Sequence, residues 1–246
     1  MDLLNITLNS QILSRMIPIN VFCPEHSNGK WLLLLHGYGG NEHEWIEKSN
    51  ILSLARKYRL TIVAPGCGDG YYEDTQEPVG RFLGEELPTF LRKRFRVSDK
   101  REDSFIAGVS MGGFGALLLG SRYSQVFGKI ACLSGAFIIH DVVIGNPGVL
   151  GNADVNYFRH VFGDFETLEK SDRDPLEQAR RAIAENRMSP VYLLCGDRDV
   201  LFRCNQRIAL ELSHLGVPVV SQTESGGHYW DFWNRHLESA IQWLAE

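Results

Sequence analysis

The chain has 246 residues, of which 44% are hydrophobic and 22% are charged, and its formal net charge is −5. This length and composition suit one α/β domain with a substantial core. The negative charge and the absence of any basic run longer than residues 92–94 argue against nucleic-acid binding. The longest apolar runs, such as Trp31–Leu35, are too short to span a membrane.

The first residues and the cysteines predict the compartment. Residues 1–5 lack the basic region and the long apolar run of a signal peptide. The five cysteines form no Cys-x-x-Cys pair, so reduced and mostly buried thiols are expected. The eight histidines show no metal-ligand spacing. We therefore expect a cytoplasmic protein without metal, cofactor, membrane or nucleic-acid partner. A homo-oligomer is compatible with the sequence, which does not determine the oligomeric state.

The first half of the chain alternates predicted strands and helices. In order, strands are predicted at residues 5–9, 16–22, 31–35 and 61–64, and helices at 49–58 and 82–95. The first two strands alternate apolar and polar residues, as antiparallel edge strands do. The next two are continuously apolar, as expected of strands covered by helices on both faces. Pro88 is expected to kink or restart the second helix.

The second half continues this alternation and is interrupted once. Strands are predicted at residues 104–109, 129–133, 190–195 and 217–222, and helices at 112–123, 204–215 and from 230 onwards. Residues 137–189 contain only one predicted helix, at 176–183, and we interpret them as an insertion that covers the sheet end. The pattern predicts a single domain, residues 1–246, with a mostly parallel, doubly wound sheet and helices on both faces. In such sheets the site lies at the carboxyl ends of the strands.

A candidate nucleophile lies in the middle of the chain. Residues 105–115 combine an apolar strand, the sequence Gly-x-Ser-x-Gly and a helix rich in glycine and leucine. In such a turn Ser110 is strained and its hydroxyl stands above the sheet end. Gly108 and Gly112 flank it because a side chain there would collide with the strand or the helix. The alternative is an incidental serine in a glycine-rich turn, which the strand-turn-helix context disfavours.

A nucleophilic serine needs a base and a group that orients the base. His228 follows the last predicted strand in a Gly-Gly-His turn, which places its imidazole at the sheet end. A histidine that only caps the terminal helix is the alternative. Asp197 and Asp199 both follow the strand at 190–195, and we favour Asp199 because it lies on the loop proper. The resulting order, serine, aspartate, histidine, is that of α/β-hydrolases.

An oxyanion hole requires two backbone N–H donors. The N–H of Met111, directly after the serine, is the first candidate. The second should come from the loop at residues 36–40, where Tyr38 is our choice. The alternative is that the glycines of this loop only make a turn.

Aromatic residues follow several of the predicted strands and are expected to line the substrate cleft. They are Tyr38, Trp45, Tyr71, Tyr72 and Trp230. Aromatic walls in a closed cleft provide apolar contact and limit the length of the substrate. With residues 137–189 as a short cover, this arrangement predicts a preference for short acyl chains.

The sequence resembles the esterase D group of α/β-hydrolases, and within it the bacterial tributyrin esterase branch. The similar stretches are residues 36–45, 70–75, 85–88, 108–116, 154–158, 161–163, 196–201 and 227–233. The resemblance implies an α/β-hydrolase fold and a carboxylesterase for short acyl chains, with the catalytic roles on Ser110, Asp199 and His228. One departure is Glu73, where the family pattern has threonine, and we expect its charge near the pocket mouth.

Three functions remain open from the sequence. The first is a serine carboxylesterase that hydrolyses small acyl esters through an acyl-enzyme. The second uses the same residues on another substrate of the wider group, such as S-formylglutathione or the acetyl and feruloyl esters of carbohydrates. The third is a hydrolase fold that has lost catalysis and only binds ligands, which is disfavoured because no member of the triad is missing.

Overall fold

The computed structural model describes residues 2–145 and 155–246. Within them, eight strands form one sheet with the order β1-β2-β4-β3-β5-β6-β7-β8. The strands are β1 Asp2–Ser10, β2 Arg15–Cys23, β3 Trp31–Leu35, β4 Thr61–Pro65, β5 Ser104–Val109, β6 Lys129–Leu133, β7 Val191–Gly196 and β8 Val219–Glu224. In this sheet order, all neighbouring strands from β4 to β8 are parallel. At one edge, β1 pairs antiparallel with β2, and β2 pairs antiparallel with β4. The predicted fold class is confirmed.

Helices cover both faces of this sheet. They are α1 Glu44–Lys48, α2 Ile51–Tyr58, α3 Val79–Arg81, α4 Leu87–Phe95, α5 Met111–Arg122, α6 Ile139–Val143, α7 Val155–Phe162, α8 Pro175–Ala184, α9 Phe202–His214 and α10 Trp230–Ala245. Leu33 and Leu35 of β3 belong to the core under α4, α5, α8 and α9, whereas Leu32 and Leu34 belong to the core under α1, α2 and α10. Since side chains alternate along a strand, two covered faces explain the continuous apolar run of β3.

The segment around Pro88 contains a change of helix type. A π-helix at Phe82–Glu86 precedes α4, and Pro88 lies in the first turn of α4. Proline is tolerated at that position because the first backbone N–H groups of a helix have no partner within it. The predicted restart of the helix therefore occurs at Leu87.

The insertion contains more helix than its sequence indicated. Besides α8, it includes α6, α7 and a short 3₁₀-helix at Phe165–Thr167. Helix α8 packs on α5. Residues 146–154, which belong to the predicted cover, lie outside the described part of the chain. In the parts that are described, no helix combines the length and apolar character that crossing a bilayer requires.

Candidate active site

Ser110 lies in a tight turn between β5 and α5, at the carboxyl end of the central strand. Its backbone has φ 55° and ψ −118°, a conformation that L-residues rarely adopt. A Cβ on Gly112 would lie 2.3 Å from the carbonyl oxygen of Leu35, and one on Gly108 would lie 2.3 Å from the carbonyl of Gly112. Because these backbones approach so closely, both glycines are required where the sequence places them.

His228 lies beside Ser110. Its Nε2 is 2.9 Å from the Ser110 Oγ, and its Nδ1 is 3.0 Å and 3.1 Å from the two carboxylate oxygens of Asp199. The loops after β7 and β8 bring these groups together, since a Cβ on Gly196 would lie 2.4 Å from the carbonyl oxygen of Gly226. The arrangement can pass a proton from a serine to an imidazole that a carboxylate orients.

The Asp199 carboxylate is fully buried and acts as a hydrogen-bond acceptor. Besides His228, the backbone N–H of Leu201 donates to its Oδ1 over 2.8 Å. Burial raises the pKa of this carboxyl, but the hydrogen bonds from His228 and Leu201 outweigh burial, and the pKa is lowered. Asp199 is therefore ionised at neutral pH.

Asp197 has a different position. Its carboxylate accepts a hydrogen bond of 3.0 Å from the backbone N–H of Gly226. Half of the side chain is exposed, and Arg198 lies 3.6 Å from it. Asp197 thus shapes the turn that precedes His228, and the structure brings Asp199, not Asp197, to the imidazole.

The two residues predicted to form the oxyanion hole lie close to Ser110. A Cβ on Gly37 would lie 3.7 Å from the Cβ of Ser110, so the loop after β3 lies directly beside the serine. Tyr38 follows Gly37 in this loop, and Met111 begins α5. In the described part of the chain, neither the Tyr38 N–H nor the Met111 N–H donates a hydrogen bond. Unpartnered N–H groups at these positions are suited to binding an oxyanion.

Three side chains, from α1 and from the loop after β4, hold this loop in place. Glu44 accepts from the backbone N–H of Gly37 over 2.8 Å, and Asp69 accepts from the N–H of Gly39 over 2.7 Å. The Tyr72 hydroxyl donates to the carbonyl of His36 over 2.8 Å. Sequence reasoning missed Glu44 and Asp69, because it looked for groups that touch substrate rather than for groups that hold backbone.

Two of the aromatic residues predicted to line the cleft lie beneath its surface. Trp45 is fully buried and its Nε1 donates to the carbonyl of Leu35 over 3.1 Å. Tyr72 is 1% exposed and is bonded to the backbone through its hydroxyl. The prediction that these two side chains contact substrate is therefore corrected: both support the loop from within the core.

Of the other three aromatic residues, Tyr38 and Trp230 are partly exposed and Tyr71 is buried. Tyr38 is 57% exposed, and its ring meets that of Tyr157 of α7 edge to face, with centroids 5.3 Å apart. Tyr71 is mostly buried against Phe158 and other rings of the same cluster. Trp230 is half-buried and packs perpendicular to Trp45 at 5.1 Å. Helix α7 of the insertion therefore borders the loop that carries Tyr38.

Glu73 borders a surface pocket beside Asp69 and Gly70, but its side chain is buried, which corrects the expectation of a charge at the pocket mouth. It is 4% exposed, and neither carboxylate oxygen has a hydrogen-bond partner within the described residues. Burial raises its pKa to about 8, against the opposing effect of Arg122. Glu73 is therefore mainly protonated at neutral pH and adds little charge to the site.

The cysteines and histidines show no sign of a metal centre within the described residues. The five cysteines are free, and four of them are buried. Burial raises the pKa of Cys67, Cys195 and Cys204 to about 12, so these thiols stay neutral. In the described ranges, no three potential ligands among histidine, cysteine, aspartate and glutamate cluster as an ion would require.

Comparison with known proteins gives consistent matches. The family model Esterase, described as putative esterase, matches residues 10–244. An acetyl esterase of Caldicellulosiruptor saccharolyticus is 37% identical over 228 residues, which cover 90% of this chain and 85% of that protein.

Solved structures show the same fold over the whole chain. The S-formylglutathione hydrolase FrmB of Staphylococcus aureus superposes with a TM-score of 0.87 at 22% identity, covering 100% of this chain and 99% of that one. The fluorophosphonate-binding serine hydrolase FphF of the same organism gives a TM-score of 0.89 at 23% identity, with coverage of 100% and 98%.

Proposed function

The chain belongs to the Esterase family and is a carboxylic ester hydrolase, and we propose that it cleaves short-chain acyl esters through a triad of Ser110, His228 and Asp199. The observation that carries this proposal is the continuous chain of contacts from the Ser110 hydroxyl through His228 to the buried Asp199 carboxylate. It occurs at the carboxyl ends of the strands, where doubly wound sheets hold their sites.

The first half of the reaction forms an acyl-enzyme. His228 accepts the Ser110 proton at Nε2 while the Ser110 Oγ attacks the ester carbonyl carbon. The carbonyl oxygen becomes an oxyanion that accepts from the N–H groups of Tyr38 and Met111. One such donor is worth about 3 kcal/mol in other serine hydrolases. When the tetrahedral intermediate collapses, the alkoxide leaves and takes the proton from His228.

The second half repeats these steps with water. His228 removes a proton from a water molecule, which attacks the acyl carbon, and the carboxylic acid leaves as Ser110 regains its proton. Asp199 stays ionised throughout. It holds the Nδ1–H of His228 and stabilises the imidazolium that forms twice in each cycle.

The acyl group is proposed to be small. The acetyl esterase relative supports this size. The ring contact between Tyr157 and Tyr38 also supports it, because these rings form one edge of the proposed cleft beside the loop at residues 36–40. We infer that the whole chain acts as one domain, with the described helices of the insertion as a partial cover. The buried free thiols support a reducing, cytoplasmic location.

Labelling with a fluorophosphonate and an ester assay test the nucleophile together. The wild type should be modified at Ser110, as mass spectrometry of the peptides would show. Ser110→Ala should lose the label and hydrolyse p-nitrophenyl acetate about a millionfold more slowly. Ser213→Ala on α9 is the matched control and should behave as wild type. A folded Ser110→Ala protein with near wild-type turnover would overturn the mechanism.

A comparison of leaving groups tests whether the preferred substrate is an oxygen ester or a thioester. The same triad attacks both carbonyls, so kcat/KM for p-nitrophenyl acetate and for S-formylglutathione should be measured on the same preparation. We expect the oxygen ester to be preferred. A larger kcat/KM for S-formylglutathione would assign the protein to the thioesterases instead.

A further inference from the structure

A buried amide side chain near the start of α9 links two segments of the proposed active site. Asn205 is 3% exposed and follows Leu201, the residue before α9, by four positions. Burying an amide is unfavourable unless its polar atoms find hydrogen-bond partners. The partners that Asn205 finds are all backbone groups of residues next to the proposed triad.

The amide is bonded to both backbone polar groups of Gly135, the second residue after β6. The Asn205 Oδ1 accepts from the Gly135 N–H over 3.1 Å, and the Asn205 Nδ2 donates to the Gly135 carbonyl over 2.8 Å. The same Nδ2 donates to the carbonyl of Leu201 over 2.9 Å. Because a carbonyl oxygen cannot donate, the amide makes these three bonds in one orientation only.

The segment at residues 133–136 holds the backbone of the serine turn. The N–H of Ala136 donates to the Ser110 carbonyl over 2.9 Å, and the Ser110 N–H donates to the carbonyl of Leu133 over 2.9 Å. A Cβ on Gly113 would lie 2.8 Å from the Cα of Gly135, so α5 also packs directly on this segment. A shift of the segment would therefore move the turn that carries the proposed nucleophile.

Leu201, the other partner of the amide, holds the proposed acid. The backbone N–H of Leu201 donates to the Asp199 Oδ1 over 2.8 Å. The N–H of Phe202 donates to the Asp199 carbonyl over 3.0 Å, so the loop that carries the acid leads directly into α9. A bond to the Leu201 carbonyl thus acts on the residue that orients the Asp199 carboxylate.

We propose that Asn205 is a positioning residue for the proposed triad, in which its amide links the segment that holds the Ser110 turn to the residue that holds the Asp199 carboxylate. This inference rests on the proposed function. Within the described residues, the Asn205 side chain has no hydrogen bond to Ser110, His228 or Asp199, so it acts through the backbone.

The proposal concerns the rate of the chemical step. The contacts of His228 with Ser110 and with Asp199 are 2.9 Å and 3.0 Å long, and both depend on how the serine turn and the acid loop lie relative to each other. Proton transfer requires these short distances. Misplacing reacting groups by about 1 Å can cost about a hundredfold in rate. Losing the amide should therefore lower kcat and leave KM near the wild-type value.

Two substitutions in the full chain test the proposal. Asn205→Leu fills the site with an apolar side chain and removes every bond of the amide. Asn205→Ser can still donate to the carbonyl four residues earlier, as serines in helices do, but it is too short to reach Gly135. For both variants we expect kcat for p-nitrophenyl acetate to fall about tenfold to a hundredfold. Gln206→Leu, which removes the exposed amide next along α9, is the matched control and should behave as wild type.

Rates are compared per active site, which separates positioning from folding. Labelling to completion with a fluorophosphonate counts the molecules with a reactive Ser110 in each preparation. A purely structural role of Asn205 would lower the labelled fraction or the Tm and leave kcat per labelled site at the wild-type value. That result, or a rise in KM without a fall in kcat, would overturn the proposal.

The Asp199→Asn background tests whether Asn205 acts through the triad. Asp199→Asn has already lost the acid that Asn205 helps to position. Adding Asn205→Leu should therefore lower kcat by a smaller factor in this background than in the wild type. The same factor in both backgrounds would mean that Asn205 acts independently of the acid, and it would contradict the proposal.

A variant that does not fold leaves the other to decide. If Asn205→Leu does not fold, Asn205→Ser is compared with wild type and with the Asp199→Asn background in the same way. An inactive Ser110→Ala together with Asn205 variants of wild-type kcat would refute this inference and leave the proposed function intact. An active Ser110→Ala would refute the proposed function itself.

Discussion

The Glu44 carboxylate accepts a hydrogen bond from the backbone N–H of Gly37, with 2.8 Å between Oε2 and the nitrogen. Glu44 is 7% exposed, and its other oxygen lies 3.2 Å from the Lys48 ammonium. Gly37 directly precedes Tyr38, the proposed oxyanion donor. A buried acid in the first turn of α1 thus holds the backbone directly before that residue.

Replacing Glu44 should slow the reaction without weakening substrate binding. Glu44→Ala leaves the Gly37 N–H without its acceptor, which costs about 1–3 kcal/mol for a buried donor and frees the loop to move. We expect kcat for p-nitrophenyl acetate to fall at least about tenfold with KM nearly unchanged, since the oxyanion exists only after attack. The exposed Glu47 of the same helix gives the control, Glu47→Ala. A rise in KM alone would show that Glu44 serves substrate binding instead.

The two acids after β7 should differ strongly in their effect on rate. Asp199→Asn removes the charge that stabilises the imidazolium and favours the wrong tautomer of His228, so kcat should fall on the order of 10⁴-fold. Asp197→Asn keeps an oxygen that can accept from the Gly226 N–H, and its loss should be minor. Steady-state kinetics on both variants measure this ranking. The reverse ranking would move the acid role to Asp197.

Glu73 should make stability depend on pH. Its pKa is about 8 in the folded protein and near 4.5 in a solvated chain. Between these values the folded state holds a proton that the unfolded state has released, so the free energy of unfolding falls as pH rises through this window. Glu73→Gln stays neutral throughout. Its free energy of unfolding, compared with that of the wild type, should therefore rise by about a few kcal/mol from the acid to the alkaline end of the window.

Urea unfolding of wild type and Glu73→Gln at about pH 5 and about pH 8 measures this difference. The advantage of the variant should grow with pH. Glu166→Gln, at an exposed position, is the control for the loss of one negative charge. An equal difference between Glu73→Gln and wild type at both pH values would mean that the Glu73 carboxyl titrates normally.

The fold and the arrangement of Ser110 and His228 could be predicted because both depend on short-range patterns. Ser110 follows a strand whose apolar run is visible in the sequence, and His228 follows the last predicted strand. Parallel strands bring their carboxyl ends to one edge. The preference for Asp199 rested on its place in the loop, and the structure puts it, not Asp197, within 3.0 Å of His228.

The position of Glu73 could not be predicted in this way. Tyr71 and Tyr72 both adopt the left-handed conformation, with φ of 53° and 60°, and this turns the chain so that the next side chain points inward. A charged residue in a glycine-rich loop is ordinarily assigned to the surface. The burial of Trp45 depends in the same way on a long-range partner, the carbonyl of Leu35, that no local pattern reveals.

The rings of Tyr157 and Tyr38, at one edge of the proposed cleft, should limit the length of the acyl chain. Helix α7 lies beside the loop at residues 36–40, which carries the proposed oxyanion donor Tyr38. The Tyr157 ring packs on Tyr38, and the Tyr157 hydroxyl donates to the carbonyl of Asp69. Each methylene that fits gains up to about 0.8 kcal/mol of burial, and each one beyond the border loses that gain to steric contact. We expect kcat/KM for p-nitrophenyl esters to peak between acetate and butyrate and to fall steeply by octanoate, without a rise in rate at a lipid–water interface.

Replacing Tyr157 tests whether its ring causes the limit on acyl-chain length. Tyr157→Ala removes the ring against Tyr38, so the ratio of kcat/KM for octanoate to that for acetate should rise, whatever the absolute activity. Leu210→Ala, at an exposed position of α9, should leave the ratio unchanged. A wild-type preference for decanoate or longer esters would refute the small-acyl proposal and indicate a lipase-like pocket. An unchanged ratio in Tyr157→Ala would place the limit elsewhere in the cleft, because the ring would then not be what stops the chain.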